Sequence, residues 1–472
     1  MTNGGIAKIR IPNSELRKGE RRRPAISRFL HSEFGILNFA IPWPGLAIFL
    51  LLVALNAPAA QRTIATANAA SCDIGTYAAA TLLLPYFECE YDKPQNEGLN
   101  TIFTVINTSS SPQIVRATIW TDWGYPASWF PIFLTGYDAH TVSMYDILAR
   151  GNYPTTTSLV PIGSTSIAGN AHFYPQIWCE HAGGSIGPER TKRLQRMLTT
   201  GERDDPNCRV GGVHPYAVGY VTLDVVNSCS IDSPLTDTYW KEIILYDNVL
   251  AGDYERINPK TTTGNYAGGN PLVHIRAVPE GGMAGTAVNS PLPYTFYDRY
   301  TPRDARHIDR RQPLPSVFAA RYINGGRDGF QTNFAIWREG IVDRDTDECS
   351  YAQNAKLPLF TPMVVRFDEH ENAVVATGCD ENGCTYPVTG TTTLISAASP
   401  VLPPAPSSDV AGWVWLNLDN GAGTGGAGAP YSTRRPSQNW VIIQMYAEGR
   451  YAVDFDATTL ANGCTVNPPT QP

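Results

Sequence analysis

Short runs in which apolar and polar residues alternate recur along this sequence, with turn-forming residues between them. Residues 81–91 (TLLLPYFECEY), 100–107 (NTIFTVIN) and 114–121 (IVRATIWT) are three such runs. An alternation with a period of two predicts half-buried strands and not helices. Because the chain offers almost no helix to cross between parallel strands, we expect the strands to pair antiparallel. The sequence therefore predicts an all-β fold, an antiparallel β-sandwich of the immunoglobulin-like or jelly-roll-like kind.

The chain is rich enough in apolar residues to bury a large core. It contains 472 residues, of which 43% are hydrophobic and 17% are charged. No heptad or collagen-like repeat is sustained along it, and its charged fraction is too low for a disordered polar chain. At this length, two packed domains are the expected organisation.

The distribution of charged and turn-forming residues divides the chain into three segments. Residues 1–69 form a basic leader, residues 70–230 a first β domain and residues 231–472 a second β domain. A Gly-, Pro- and Thr-rich insertion at about 150–215 interrupts the first domain. It contains the one segment with a helical pattern, residues 188–198 (PERTKRLQRML), in which Pro occupies a position that a helix start tolerates.

The basic, apolar and small residues of the leader follow one another in the order of a secretory signal peptide. Residues 1–69 carry nine Lys and Arg against three Glu, so their net charge is +6 and the remaining chain is −13. An apolar run, residues 45–55 (GLAIFLLLVAL), precedes small residues that offer cleavage after Ala59 or Ala69. We therefore expect export to the periplasm, the outer surface or the medium. The alternative is an uncleaved membrane anchor, because the uncharged stretch from Phe34 is long enough to span a bilayer.

All nine cysteines follow the leader, and cysteines of exported chains usually form disulfides. Cys379 and Cys384 bracket the turn-forming residues 380–383, which favours a bridge across a hairpin tip. Cys179 and Cys208 are a second candidate pair, which would close the long insertion. Because nine is odd, one thiol is free or bridges another chain.

Four segments resemble parts of uncharacterised secreted bacterial proteins. They are residues 81–92 (TLLLPYFECEYD), 120–124 (WTDWG), 134–138 (LTGYD) and 330–340 (FQTNFAIWREG). The resemblance implies a secreted location and a β architecture. It implies no activity, because none is attached to that group.

Residues 183–187 fit G-x-S-x-G, the nucleophile elbow of α/β-hydrolases, and make Ser185 a candidate nucleophile. An elbow also needs a histidine base and an acid, and the downstream histidines are His214, His274, His307 and His370. The strand before an elbow is apolar, whereas residues 179–182 (CEHA) are polar. A glycine-rich loop is therefore the favoured interpretation. A carboxylate pair for glycoside hydrolysis cannot be selected from the sequence, since such pairs are defined in space.

Two acidic segments have the donors of a cation site. Asp343, Asp345 and Asp347 are spaced as in calcium-binding loops, but position six is Glu348 where such loops need Gly. Residues 368–371 (DEHE) are a second polar segment of this kind. Both are interpreted first as solvated turns and second as metal sites. Calcium is the only cofactor that the sequence suggests.

Aromatic residues are the remaining ligand candidates. Trp123 and Trp129 flank a turn that contains Tyr125 and Pro126, so they are predicted to face a ligand. Tryptophans within predicted strands are expected in the core, and they are Trp120, Trp337, Trp413, Trp415 and Trp440. Nucleic acid is disfavoured as a partner, because a chain of charge −13 repels phosphates.

The sequence thus favours a secreted or cell-surface β-sandwich protein with a structural, adhesive or binding role and no catalytic site. Envelope or surface components are the expected partners, and the membrane is a partner only through an uncleaved N-terminal segment. The alternative is a secreted hydrolase of esters or polysaccharides that uses Ser185 or an unidentified carboxylate pair.

Overall fold

The structure is a computed structural model, and the residues it describes all follow the predicted leader. They are 75–155, 183–204, 208–230, 232–259, 266–282, 292, 294–298, 300–301, 309–340, 351, 364–375, 379–380, 383–384, 390–419, 437–447 and 450–460. The paired strands in these ranges are antiparallel, and helices are few. The predicted all-β, sandwich-like fold is confirmed.

Nine of the first eleven strands build one sandwich. In chain order the eleven strands are β1 (Thr81–Cys89), β2 (Asn100–Asn107), β3 (Gln113–Thr121), β4 (Pro126–Leu134), β5 (Ala139–Ser143), β6 (Asn152–Tyr153), β7 (Gly184–Ser185), β8 (Ala217–Val226), β9 (Leu250–Asn258), β10 (Tyr266–Pro271) and β11 (Val273–Ile275). A five-stranded sheet has the order β11-β1-β8-β3-β4, and a four-stranded sheet has the order β10-β9-β2-β5. The two sheets share a core to which Leu82 and Leu84 of β1 and Phe103 of β2 contribute. The short strands β6 and β7 pair only with each other in the described part of the chain.

The second sandwich has the same number of strands in its two main sheets. Its strands are β12 (Val317–Ile323), β13 (Phe330–Arg338), β14 (Val364–Asp368), β15 (Ala373–Val375), β16 (Cys379–Asp380), β17 (Gly383–Cys384), β18 (Thr392–Ser396), β19 (Ala411–Asn417), β20 (Asn439–Ala447), β21 (Tyr451–Asp456) and β22 (Thr458–Thr459). The five-stranded sheet has the order β15-β14-β19-β12-β22, and the four-stranded sheet has the order β18-β13-β20-β21.

The described helices are short. They are α1 (Met144–Leu148), α2 (Pro188–Thr199) and a π-helical turn (Tyr239–Ile243). The predicted helix at 188–198 is confirmed as α2, which starts at Pro188 and buries Leu194, Met197 and Leu198 in the core of the first sandwich. None of the helices in the described ranges is long and apolar enough to cross a membrane.

The predicted boundary near residue 230 falls between β8 and β9. Strand β9 pairs with β2, and β11 pairs with β1, so the strands of the first sandwich continue to Ile275. These pairings do not test whether either half folds by itself. The division into domains at 230 therefore stays a prediction.

Three long strands of the first sandwich are buried on both faces. Every residue of β1, β3 and β8 is buried, so the prediction of half-buried strands at 81–91 and 114–121 is wrong. Leu82 and Leu84 of β1 lie in the core of the first sandwich, whereas Leu83 lies in a second core with Phe334 of β13. The strands of a sheet that is covered on both sides read as continuous apolar runs. A shared core thus joins the two sandwiches.

Candidate functional site

Ser185 lies at the exposed end of β7, immediately before α2. Its hydroxyl accepts a hydrogen bond from the Gly187 N–H at 3.3 Å. No histidine or carboxylate in the described ranges hydrogen-bonds to this hydroxyl. Ser185 as a nucleophile therefore stays a prediction that these contacts do not support.

The candidate histidines lie in three different environments, and His307 is outside the described residues. His274 is buried in β11, where Nδ1 is 2.9 Å from the Tyr77 carbonyl oxygen, and burial lowers the pKa of this imidazole. His274 is a structural residue of the core. His214 and His370 are each paired with a carboxylate near the surface.

His214 and Asp122 form the first of these pairs. Asp122 follows β3 and is 4% exposed, and its Oδ2 is 2.9 Å from Nε2 of the half-buried imidazole. The Gly212 N–H donates to Oδ1 of the same carboxylate at 2.8 Å. The His214 N–H donates to the Thr199 carbonyl oxygen at the end of α2. A carboxylate in this position orients an imidazole, as in general-base catalysis.

Two glycines allow this pair to form where the two sandwiches meet. A Cβ at Gly212 would lie 2.7 Å from Asp122 Oδ2 and 2.9 Å from His214 Nε2, so a larger residue would displace the pair. On the other side, a Cβ at Gly390 would lie 2.2 Å from the Asp122 carbonyl oxygen. That oxygen accepts hydrogen bonds from the N–H groups of Thr391 and Thr392 in the second sandwich.

The sequence did not identify Asp122, although it lies in the quoted segment WTDWG. The two side chains are 92 residues apart, and no spacing rule connects them. The available signal was the Gly211-Gly212 dipeptide before His214, because adjacent glycines often permit a close approach of the backbone.

Trp123 and Trp129, the predicted ligand-facing residues, are both half-buried. Trp123 packs against the core of the first sandwich. The Arg116 guanidinium lies over the Trp129 ring at 5.5 Å and over the Tyr239 ring at 4.7 Å, so Trp129 already has a cationic neighbour. Their role in ligand binding stays a prediction.

Core positions were predicted for the tryptophans in strands. Trp120, Trp337, Trp415 and Trp440 are buried, which confirms the prediction for these four. Trp413 is half-buried and stacks on Phe367 with ring centroids 3.8 Å apart.

The predicted calcium ligands Asp343, Asp345 and Asp347 lie outside the described residues. The other acidic segment is described, and it places Asp368 and His370 beside Asp409. One donor atom from each of the three lies within 4.8 Å of the others.

The Asp368 carboxylate is held by its own turn. The side-chain amide of Asn372 donates to it at 2.8 Å, and the N–H groups of His370 and Asn372 each donate at 2.9 Å. The Asn372 side-chain hydrogen bond is the largest cause that lowers the pKa of Asp368, to about 2. His370 Nδ1 is 2.8 Å from Asp409 Oδ2, and this hydrogen bond raises the pKa of His370.

The predicted disulfide pairs are described in part. Cys379 and Cys384 are directly opposite each other in the β16–β17 ladder, as a bridge across this hairpin requires. Cys208 is disulfide-bonded, and its predicted partner Cys179 lies outside the described residues. Cys89 is a free thiol that is fully buried in β1, and burial raises the pKa of this thiol. Both predicted pairings stay predictions.

A buried ion triad connects the two sandwiches. The Arg256 guanidinium of β9 donates two hydrogen bonds, at 3.0 and 3.1 Å, to the Asp454 carboxylate of β21. Nη1 of the same group donates to Glu88 of β1 at 3.2 Å. The three side chains are between 1% and 3% exposed. One guanidinium thereby joins strands of three different sheets.

A second buried polar cluster surrounds Asp224 of β8. Its carboxylate accepts hydrogen bonds from Tyr239 at 2.7 Å, Thr81 at 2.5 Å and Tyr297 at 3.0 Å. Arg311 Nη2 is 3.9 Å from the same carboxylate, and desolvation raises the pKa of Asp224. Tyr297 and Arg311 belong to the segment that leads into the second sandwich, so that segment is anchored inside the first.

These features define an all-β protein of two antiparallel sandwiches, which are joined by a shared core and by a buried ion triad. The protein also has a surface-facing aspartate–histidine pair. No protein-family model, no curated protein and no solved structure matches the chain.

Proposed function

We propose that this chain is an exported structural or binding protein of the cell surface, in which the two sandwiches act as one rigid scaffold. The observation that carries the proposal is the Arg256–Glu88–Asp454 triad. Separating the sandwiches would leave charged groups buried without their partners, at a cost of several kcal/mol. Hinge motion at this interface, as in a cleft that opens and closes, is therefore strongly disfavoured.

The leader and the cysteines support the location. A basic segment, an apolar run and small residues stand in the order of an export signal. Nine cysteines are an odd number, and the fully buried, free Cys89 accounts for the odd one. The other eight are then available for four disulfides, which persist in oxidising compartments.

The proposed export has a direct test in the protein isolated from its native source without reduction. We expect its N-terminus to follow Ala59 or Ala69, and peptide mapping to find eight cysteines in four bridges. Cys89 should react with iodoacetamide only after denaturation, because its thiol is buried and its pKa is raised. A protein with an intact leader and several reduced cysteines would contradict the proposal.

The second candidate function, a secreted hydrolase, is favoured by the Asp122–His214 pair. If His214 is a general base, His214→Gln lowers the rate of ester hydrolysis by about 100-fold or more. His140→Gln is the matched control, since His140 lies on β5, an edge strand of the four-stranded sheet, whereas Asp122 follows β3 of the five-stranded sheet. Hydrolysis of p-nitrophenyl acetate and of soluble polysaccharides is the measurement. No turnover by the wild type, or equal rates for wild type and His214→Gln, would exclude this candidate.

A further inference from the structure

Strand pairing in the second sandwich brings two loops of donor residues together. Asp368 is the last residue of β14 and is paired with Gly412 at the start of β19. Asp409 precedes β19 by two residues, and His370 follows Asp368 by two residues. The β14–β19 ladder therefore fixes the two loops side by side, independently of any contact between their side chains.

The three side chains offer one imidazole and two carboxylates that a small movement would bring to the separations a single ion requires. One donor atom from each lies within 4.8 Å of the others, and His370 Nδ1 and Asp409 Oδ2 are 2.8 Å apart. Metal–ligand bonds of about 2.0–2.2 Å place the ligands of one ion roughly 3–4 Å apart. The side chains of His370 and Asp409 are 75% and 29% exposed, so they are free to make the small movement that remains.

The Asp368 side chain is already held in a fixed orientation, as a metal ligand should be. Its side chain is held by three hydrogen bonds from its own turn, and the residue is only 2% exposed. The fourth acceptor position of this carboxylate is taken by the side chain of the exposed Ser407, whose hydrogen bond a cation would replace. A fixed ligand at the base of a site, with mobile ligands above it, needs little reorganisation on binding.

The donor types select the class of ion. Calcium takes six to eight oxygen ligands, whereas an imidazole favours zinc, copper, nickel or cobalt. We propose that Asp368, His370 and Asp409 bind a divalent transition-metal cation of the zinc type, with water completing its coordination on the exposed side. This site is separate from the calcium loop that the sequence suggested at Asp343, and it does not depend on the proposed function.

Calorimetric titration of the full, oxidised chain with Zn²⁺ tests the proposal. We expect a one-to-one site whose affinity falls at least tenfold in His370→Gln and in Asp409→Asn. Glu369→Gln is the matched control, because Glu369 lies in the same turn but pairs with Arg321 at 2.8 Å. Its affinity should stay within twofold of the wild type.

Thermal unfolding provides a second measurement on the same proteins. Zn²⁺ should raise the melting temperature of the wild type and of Glu369→Gln, and should raise it less in the two site variants. The proposal is overturned if the wild type does not bind Zn²⁺, if His370→Gln binds it as well as the wild type, or if Glu369→Gln loses as much affinity as the site variants. Tighter binding of Ca²⁺ than of Zn²⁺ would overturn the assignment to a transition metal.

Discussion

Replacing Arg256 by Met is expected to lower the free energy of unfolding by about 3–5 kcal/mol, because the substitution removes the cation that pairs with two buried carboxylates. Glu88 and Asp454 are 2% and 1% exposed, and neither can reach solvent without opening the interface between the sandwiches. Met retains most of the aliphatic length of Arg, so the decrease in the free energy of unfolding results from the lost charge and not from lost packing. Urea unfolding followed by tryptophan fluorescence measures it.

The matched control is Arg321→Met, which removes the cation from an exposed pair. Arg321 and Glu369 are 2.8 Å apart but are 58% and 42% exposed. Exposed pairs contribute at most about 1 kcal/mol, so this change should have little effect. A loss below about 1 kcal/mol for Arg256→Met, or equal losses in both variants, would refute the proposed rigid junction.

Neutralising the whole triad provides a sharper comparison. The triple variant Arg256→Met, Glu88→Leu and Asp454→Leu removes all three charges of the triad. Buried ion groups replaced together by apolar residues are often neutral or stabilising. We therefore expect the triple variant to regain much of the stability lost in Arg256→Met.

The sequence contained part of this information. Within β9, the residues at alternate positions from Leu250 to Asn258 are buried, and Arg256 occupies one of these positions. A charged residue on the apolar face of a strand predicts a buried, paired charge. Its partner was not predictable, because Asp454 is 198 residues away and belongs to the other sandwich.

Strand positions were predictable where one face is buried, as in β2, in which buried and half-buried residues alternate from Thr101 to Asn107, although Ile102 and Ile106 lie on the half-buried face. The complete burial of β1 was not predictable from the sequence. Periodicity indicates which face of a strand is apolar, but it does not indicate whether another layer covers the opposite face. The same limit applies to the candidate sites. The turn that holds Asp368 and His370 is visible in the sequence, whereas Asp122–His214 and the contribution of Asp409 depend on loops that only the sheet register brings together.

The shared core leads to the second large prediction, which concerns Trp120. This residue is 2% exposed, and its ring stacks in parallel on Tyr220 with centroids 5.7 Å apart. Tyr220 in turn contacts Trp337 of β13 edge-on at 5.9 Å. Trp120 also donates from Nε1 to the Thr222 hydroxyl at 2.8 Å. The aromatic contacts thus run from the first sandwich into the second.

Trp120→Ala should cost about 3–5 kcal/mol of unfolding free energy, the usual cost of deleting a large ring from a packed core. Trp413→Ala is the control, because Trp413 is half-buried in a small cluster at the other sheet of the second sandwich and should cost at most half as much. Since both sandwiches contribute to the Trp120 core, its loss should weaken them together, and calorimetry should still find one transition. Separate transitions in the wild type would show that the sandwiches are independent and that the scaffold is not rigid. A smaller loss for Trp120→Ala than for Trp413→Ala would contradict the predicted contribution of the Trp120 core.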